Sequence, residues 1–205
     1  MSLGPHGKWF LLAAICDIAI RLGAGHAAAQ TGGSQAEAQQ PAAHHFCITY
    51  HLASGSEKWD PAVRKRITDA MDAAIVLYNE EGEFNKTITA NYSPKTRTAD
   101  GGFSGWINLG HSISKRVALH EIAHTLGVGT HWKWSKLVKD HKWTGEHALA
   151  QLREFDGPNA VLHADRMHFW PYGLNYDREG GPENFRRHVK MVAAMRLDMG
   201  IVNGR

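Results

Sequence analysis

His120-Glu121-Ile122-Ala123-His124 sets two imidazoles four residues apart on either side of a carboxylate. On a helix, positions i and i+4 lie on one face, one turn apart, so both rings can bind the same metal ion. For Zn²⁺ the ring nitrogens would sit at about 2.0–2.1 Å. Glu121 points to the side of that metal, where it can take a proton from a bound water. A chain with 14 His and 10 Glu among 205 residues produces this pattern by chance about 0.05 times, so its surroundings have to carry the reading. Gly127 follows His124 by three residues. A glycine there lets the chain leave the helix abruptly with φ > 0, as a third ligand from downstream requires. With three histidines bound, the fourth position stays open to water, the arrangement of catalytic rather than structural sites.

The helix that must present these groups shows in Val117, Leu119, Ile122, Ala123 and Leu126, capped by Ser112 or Ser114 and ended by Gly127 and Gly129. Upstream, residues 46–52 alternate as a half-buried strand. Asp60-Pro61 opens a helix through Val63, Ile67, Met71, Ala74 and Ile75 that closes at Gly82. Residues 86–92 read as a second strand, 98–102 as a turn and 105–109 as a third, short strand. Residues 131–143 lack a clear period and read as an irregular insertion. Thr144 can cap a helix to Phe155, Asp156-Gly157-Pro158 is a turn, and a last helix runs from about Pro182 to Met199 with Phe185, Val189, Val192 and Ala193 on one face. The expected class is α+β, with a small mixed sheet, an active-site helix and a C-terminal helix.

The chain carries 23 Lys and Arg against 20 Asp and Glu, a net charge of +3, with 43% hydrophobic residues. That composition suits a globular protein of one domain, and so weak a balance gives no support to a nucleic-acid surface. Lys8, the apolar run Trp9 to Ile20 and Ala27-Ala28-Ala29 have the form of a secretory signal peptide cut after Ala29. Its apolar core falls short of the roughly 20 residues needed to span a bilayer. The expected mature product is exported, free of the membrane and monomeric. Residues 30–43, rich in Ala, Gln, Gly and Ser, form a flexible leader, and residues 44–205 form the single catalytic domain. Cleavage removes Cys16 and leaves Cys47 without a disulfide partner; its alternating neighbours make it a small buried thiol.

The run His120 to Thr130 resembles the active-site helix of metzincin-type zinc metallopeptidases, and the Gly-rich segment 101–109 is similar to their edge strand that pairs with substrate. The resemblance is good over residues 98–130 and looser beyond. It implies a zincin fold, a bound Zn²⁺ and hydrolysis of protein or peptide substrates, with His120 and His124 as ligands and Glu121 as general base. The family's usual third histidine falls three residues after the glycine, and here that position is Thr130, with His131 one residue late. Metzincins of the leishmanolysin sort take this histidine from far downstream, which points to His163 or His168. His168 is favoured over His131 and His163 because it opens His168-Phe169-Trp170-Pro171-Tyr172-Gly173, a stretch suited to a rigid turn under a metal. Met167 is the candidate for the family's methionine turn, although it precedes His168. Some metzincins place an oxyanion-stabilising tyrosine after this turn, which implies Tyr172 or Tyr176. A gluzincin would instead use a glutamate such as Glu146, 22 residues past His124.

Two side readings remain. Strand 105–109 can hold an extended peptide as an added sheet strand, with Trp106 more at home in the core than in a subsite. Trp132, Trp134 and Trp143 motivate a non-catalytic module for glycans or cell-wall material, and zinc-bound water could equally serve a hydrolase of a non-peptide amide or ester.

Overall fold

The computed structural model describes residues 47–201. The signal-peptide and leader readings, Cys16, and the His44-His45 pair lie outside them. The described residues fold as α+β, with two four-stranded sheets and five α-helices. No helix among them is long and apolar enough to cross a membrane.

The first sheet has the order β1-β2-β4-β3, from β1 (Ile48–Leu52), β2 (Lys86–Tyr92), β3 (Ala99–Gly102) and β4 (Trp106–Leu109). β1, β2 and β4 run parallel, and β3 is antiparallel to β4 at one edge. Joining parallel β1 to β2 needs a long crossover, which α1 (Pro61–Glu81) supplies. The Asp60 carboxylate caps it, accepting from the backbone N–H groups of Ala62 and Val63. Ile67, Met71, Ala74 and Tyr78 bury its inner face against Ile88, Ala90, Ile107 and Leu109 of the sheet.

α2 (Lys115–Thr125) carries the histidine motif and is capped by the Ser114 hydroxyl, which accepts from the Val117 N–H. It packs on β3 and β4. Arg196, on α5 (Pro182–Asp198), donates to Leu126 O just past the end of α2, where unpaired carbonyls and the helix dipole favour a cation.

The segment read as an irregular insertion is ordered. It forms α3 (Trp134–Leu137) and a hairpin of β5 (Val138–Lys139) and β6 (Lys142–Trp143), which joins β7 (His163–Ala164) and β8 (Phe169–Trp170) in the second sheet. These strands are two residues long, too short for any period to show in the sequence. Trp134 and Trp143, read as exposed, are each 2% exposed and lie 4.7 Å apart. Their indole N–H groups reach Asp165 O and the Asp198 carboxylate. Thr144 does not cap α4 (Glu146–Asp156). Asp198 does so from α5, accepting from the N–H groups of His147 and Ala148. Cys47 is only partly buried, and Asn79 Nδ2 donates to its sulfur.

His188 on α5 ties three elements together. Its Nδ1 lies 2.7 Å from Tyr172 O, and its Nε2 lies 3.1 Å from the Tyr78 hydroxyl and 3.2 Å from Leu119 O. Burial pushes its pKa down to about 4, against about 6.5 in an unfolded chain. Between those values the unfolded chain binds more protons, so stability rises with pH there. The contribution is whole above about pH 6.5 and is lost as pH falls through 4, a span of about 3 kcal/mol. Denaturant titrations of metal-free protein at pH 7.5, 6.0 and 4.5 are expected to show this decline, and His188→Gln to flatten it.

Candidate metal centre

His120, His124 and His168 come together at the bottom of one cleft, each with a ring nitrogen within 4.8 Å of the other two. His168 stacks on His120 with centroids 5.4 Å apart and stands edge-on to His124 at 5.6 Å. His131 instead packs against Phe103 and Trp132, and His163 stacks on Trp170. Neither belongs to the cluster, and neither does Glu146, at the start of α4.

Backbone carbonyls orient the two α2 rings. His120 Nδ1 lies 2.8 Å from Gly173 O, and His124 Nδ1 lies 2.7 Å from Val128 O. A carbonyl can only accept, so each Nδ1 carries the proton and each Nε2 is left as a bare lone pair. Those two Nε2 atoms are 3.2 Å apart. Lone pairs at that distance repel unless a cation lies between them. Burial lowers the pKa of both rings, with the neighbouring histidine adding to the effect on His120, so a proton is a poor occupant. The spacing instead matches the ~3.3 Å expected between two nitrogens on one tetrahedral ion with 2.0–2.1 Å bonds. The donor set therefore fits a metal ion.

The third histidine of the cluster arrives through two close approaches. Gly129, at φ 68°, lies where a Cβ would be 2.2 Å from Met167 O; its bare backbone admits the strand of chain that delivers His168. Asp165 then shapes that chain, its Oδ1 accepting from the N–H groups of Met167 (2.8 Å) and His168 (2.7 Å) while lying 3.6 Å from His168 Nδ1. Motif spacing does not single out Asp165. Its one signal is an Asp two residues ahead of Met167, the spacing of an Asx turn, just before a candidate ligand. Gly129→Ala is expected to weaken metal binding by about 10–100-fold, the effect of disturbing a ligand's support. Competition with a chromogenic chelator reads this directly.

Glu121 is 5% exposed, and its Oε2 has no hydrogen-bond partner. Desolvation, then the charge of Asp100, raises its pKa to about 8, against a smaller opposing pull from Arg116. A buried acceptor without a donor is expensive in a folded protein, and this one borders the cleft beside the three histidines.

The cleft holds about 710 Å³. Thr98, Ala99, Asp100 and Gly101 form one wall, with Met167, Trp170 and Tyr176 among the other residues around it. This corrects the expected position of the edge strand. β4 is paired on both sides and has no free edge to offer a peptide. The open edge is β3, whose residues read as a turn because Asp and Gly disfavour strands. Gly101 is required there, since a Cβ would lie 2.5 Å from Glu121 O. Trp106 is 44% exposed rather than in the core, because it sits on the sheet face opposite the helices, with its Nε1 donating to Asn108 Oδ1.

Tyr172 is also displaced from its expected role. Its hydroxyl engages Asp156 and Arg187 and its ring packs edge-on to Phe155, while Tyr176 lines the cleft. The left-handed backbone of Tyr172, φ 67°, accompanies this turn away from the metal centre. Gly173, the last residue of the stretch read as a rigid turn, supplies the carbonyl that orients His120.

No protein-family model, curated protein or solved structure matches the chain.

Proposed function

We propose that this chain is a secreted zinc metallopeptidase of metzincin type, with His120, His124 and His168 as ligands and Glu121 as general base. One observation supports this above the others: two deprotonated ring nitrogens 3.2 Å apart beside a buried carboxylate whose Oε2 has no partner. A purely structural site has no use for that carboxylate, whose burial is costly. Three clustered imidazoles suit Zn²⁺, and zinc bound there would acidify a water and polarise a carbonyl.

The chain's own groups supply the rest. Gly173 O and Val128 O keep the two α2 rings in one tautomer. Glu121 takes the proton of the attacking water at Oε2 and passes it to the leaving amine. The free edge of β3 holds an extended chain by main-chain hydrogen bonds, which favours a peptide over a small ester. Tyr176 is the cleft tyrosine available to the carbonyl oxygen. Burial of Trp134 and Trp143 removes most of the aromatic platform that a glycan-binding module would need.

The test is zinc-dependent cleavage. Purified protein loaded with one equivalent of Zn²⁺ is incubated with a mixture of unstructured peptides, and products are read by mass spectrometry. Cleavage abolished by chelator and restored by zinc supports the reading. Intact peptides alongside stoichiometric bound zinc would sink it.

A further inference from the structure

Beyond the Gly102 end of β3, six side chains form a continuous cationic and aromatic strip. Phe103 follows the strand directly, with its ring 4.9 Å from His131, and His131 lies 5.6 Å from Trp132. Three ammonium groups rest on this strip. Lys86 Nζ sits 4.8 Å over Phe103, and Lys136 and Lys133 sit 4.3 and 5.4 Å over Trp132. Trp132 is 63% exposed and Phe103 37%, so the aromatic faces are not buried in a core. None of the three lysines pairs with a carboxylate among the described residues. Lys86 also donates to Phe103 O at 2.6 Å, which fixes one ammonium beside the strand end.

A charge held over a ring face keeps its outward N–H groups free. Lysines held in this way, without acidic partners, suit an anionic group arriving from outside. The strip starts two residues beyond Gly101, which lines the cleft. Gly101 packs against Glu121 of α2, and Phe103 opens the turn two residues further, at most about 7 Å away. A peptide paired to β3 beside the metal centre therefore reaches the strip with residues some two to four positions from the bond being cut. We propose that this strip is a substrate subsite that selects acidic residues, Asp or Glu, at those positions on one side of the scissile bond. The proposal rests on the peptidase reading above and names a substrate class for it.

The test uses the full chain loaded with zinc and an efficiently cleaved synthetic decapeptide, with Asp, Asn or Lys placed in turn at four positions on each side of the cut. An acidic residue at one or two of these positions, all on one side, is expected to raise kcat/KM about 5–20-fold over Asn, the scale of a few exposed ion pairs. Lys there should lower it, and raising salt from 0.05 to about 0.5 M should shrink the advantage as screening shortens. The variant Lys86→Gln/Lys133→Gln/Lys136→Gln should lose the preference while cleaving the Asn peptide at the original rate. Lys136→Gln alone, a fully surface change, should lose part of it if the triple variant folds poorly. Indifference to Asp, or a preference that survives in the lysine variants, overturns the subsite and leaves the peptidase reading intact. If no peptide is cut, the peptidase reading fails first. Titration of the same peptides onto zinc-loaded Glu121→Gln protein then reads the subsite separately, and equal affinity for Asp and Lys peptides overturns it. Sedimentation with vesicles of 30% phosphatidylserine, abolished by the triple variant in the absence of any peptide preference, would assign the strip to a lipid surface and also overturn it.

Discussion

Glu121→Gln is expected to lower kcat for peptide hydrolysis by at least 10²–10⁴-fold, the scale of a positioned general base, while the protein still binds one equivalent of zinc. Glutamine keeps the shape of the side chain but cannot accept a proton. Metal retention follows because the proposed ligands are His120, His124 and His168, whose orientation comes from Gly173 O, Val128 O and the Asp165 turn rather than from Glu121. Thermal stability should stay level or rise, since the change removes a carboxylate that is 5% exposed and has an oxygen without a partner in favour of a neutral amide. Steady-state kinetics, metal analysis and calorimetry on one preparation separate these effects. Equal loss of zinc and activity would mean that Glu121 shapes the site instead of working in it.

The second large effect concerns the ligand that sequence spacing alone leaves open. His168→Ala is expected to weaken zinc binding by at least 100-fold, more than the loss of a supporting residue, whereas His131→Ala and His163→Ala should change it by less than about threefold. In saturating zinc the first substitution removes about 2.7 kcal/mol of metal-linked stability, or roughly 5–10 °C in melting temperature for a domain of this size. The two controls lie on aromatic neighbours, His131 on Phe103 and His163 on Trp170, so they lose ring packing and leave the metal centre alone. A comparable loss of zinc in His131→Ala would reassign the third position.

Much of the helix that carries the histidine motif is legible in the order of its residues. The 3.6-residue period from Val117 to Leu126, the two candidate serine caps and the glycines after it describe α2 to within two residues at each end. The same holds for α1, with its Asp60 cap and Pro61, and for β2, whose full length shows in its residue types. In each case the stabilising contacts lie within a few residues of one another, so residue type and spacing report them directly.

Other features are decided only by tertiary packing. The third histidine stands 44 residues from His124, and its arrival depends on Gly129 meeting the Met167 backbone. The sheet edge beside the cleft is β3, whose glycines look like a turn until α2 presses against them. Tyr172 turns toward Asp156 and Arg187, and α4 takes its cap from Asp198 of the last helix. All four turn on groups distant in sequence, and two of them on the absence of a side chain. Period and propensity record what a residue prefers among its neighbours along the chain. They carry no record of which remote backbone will come to lie against it.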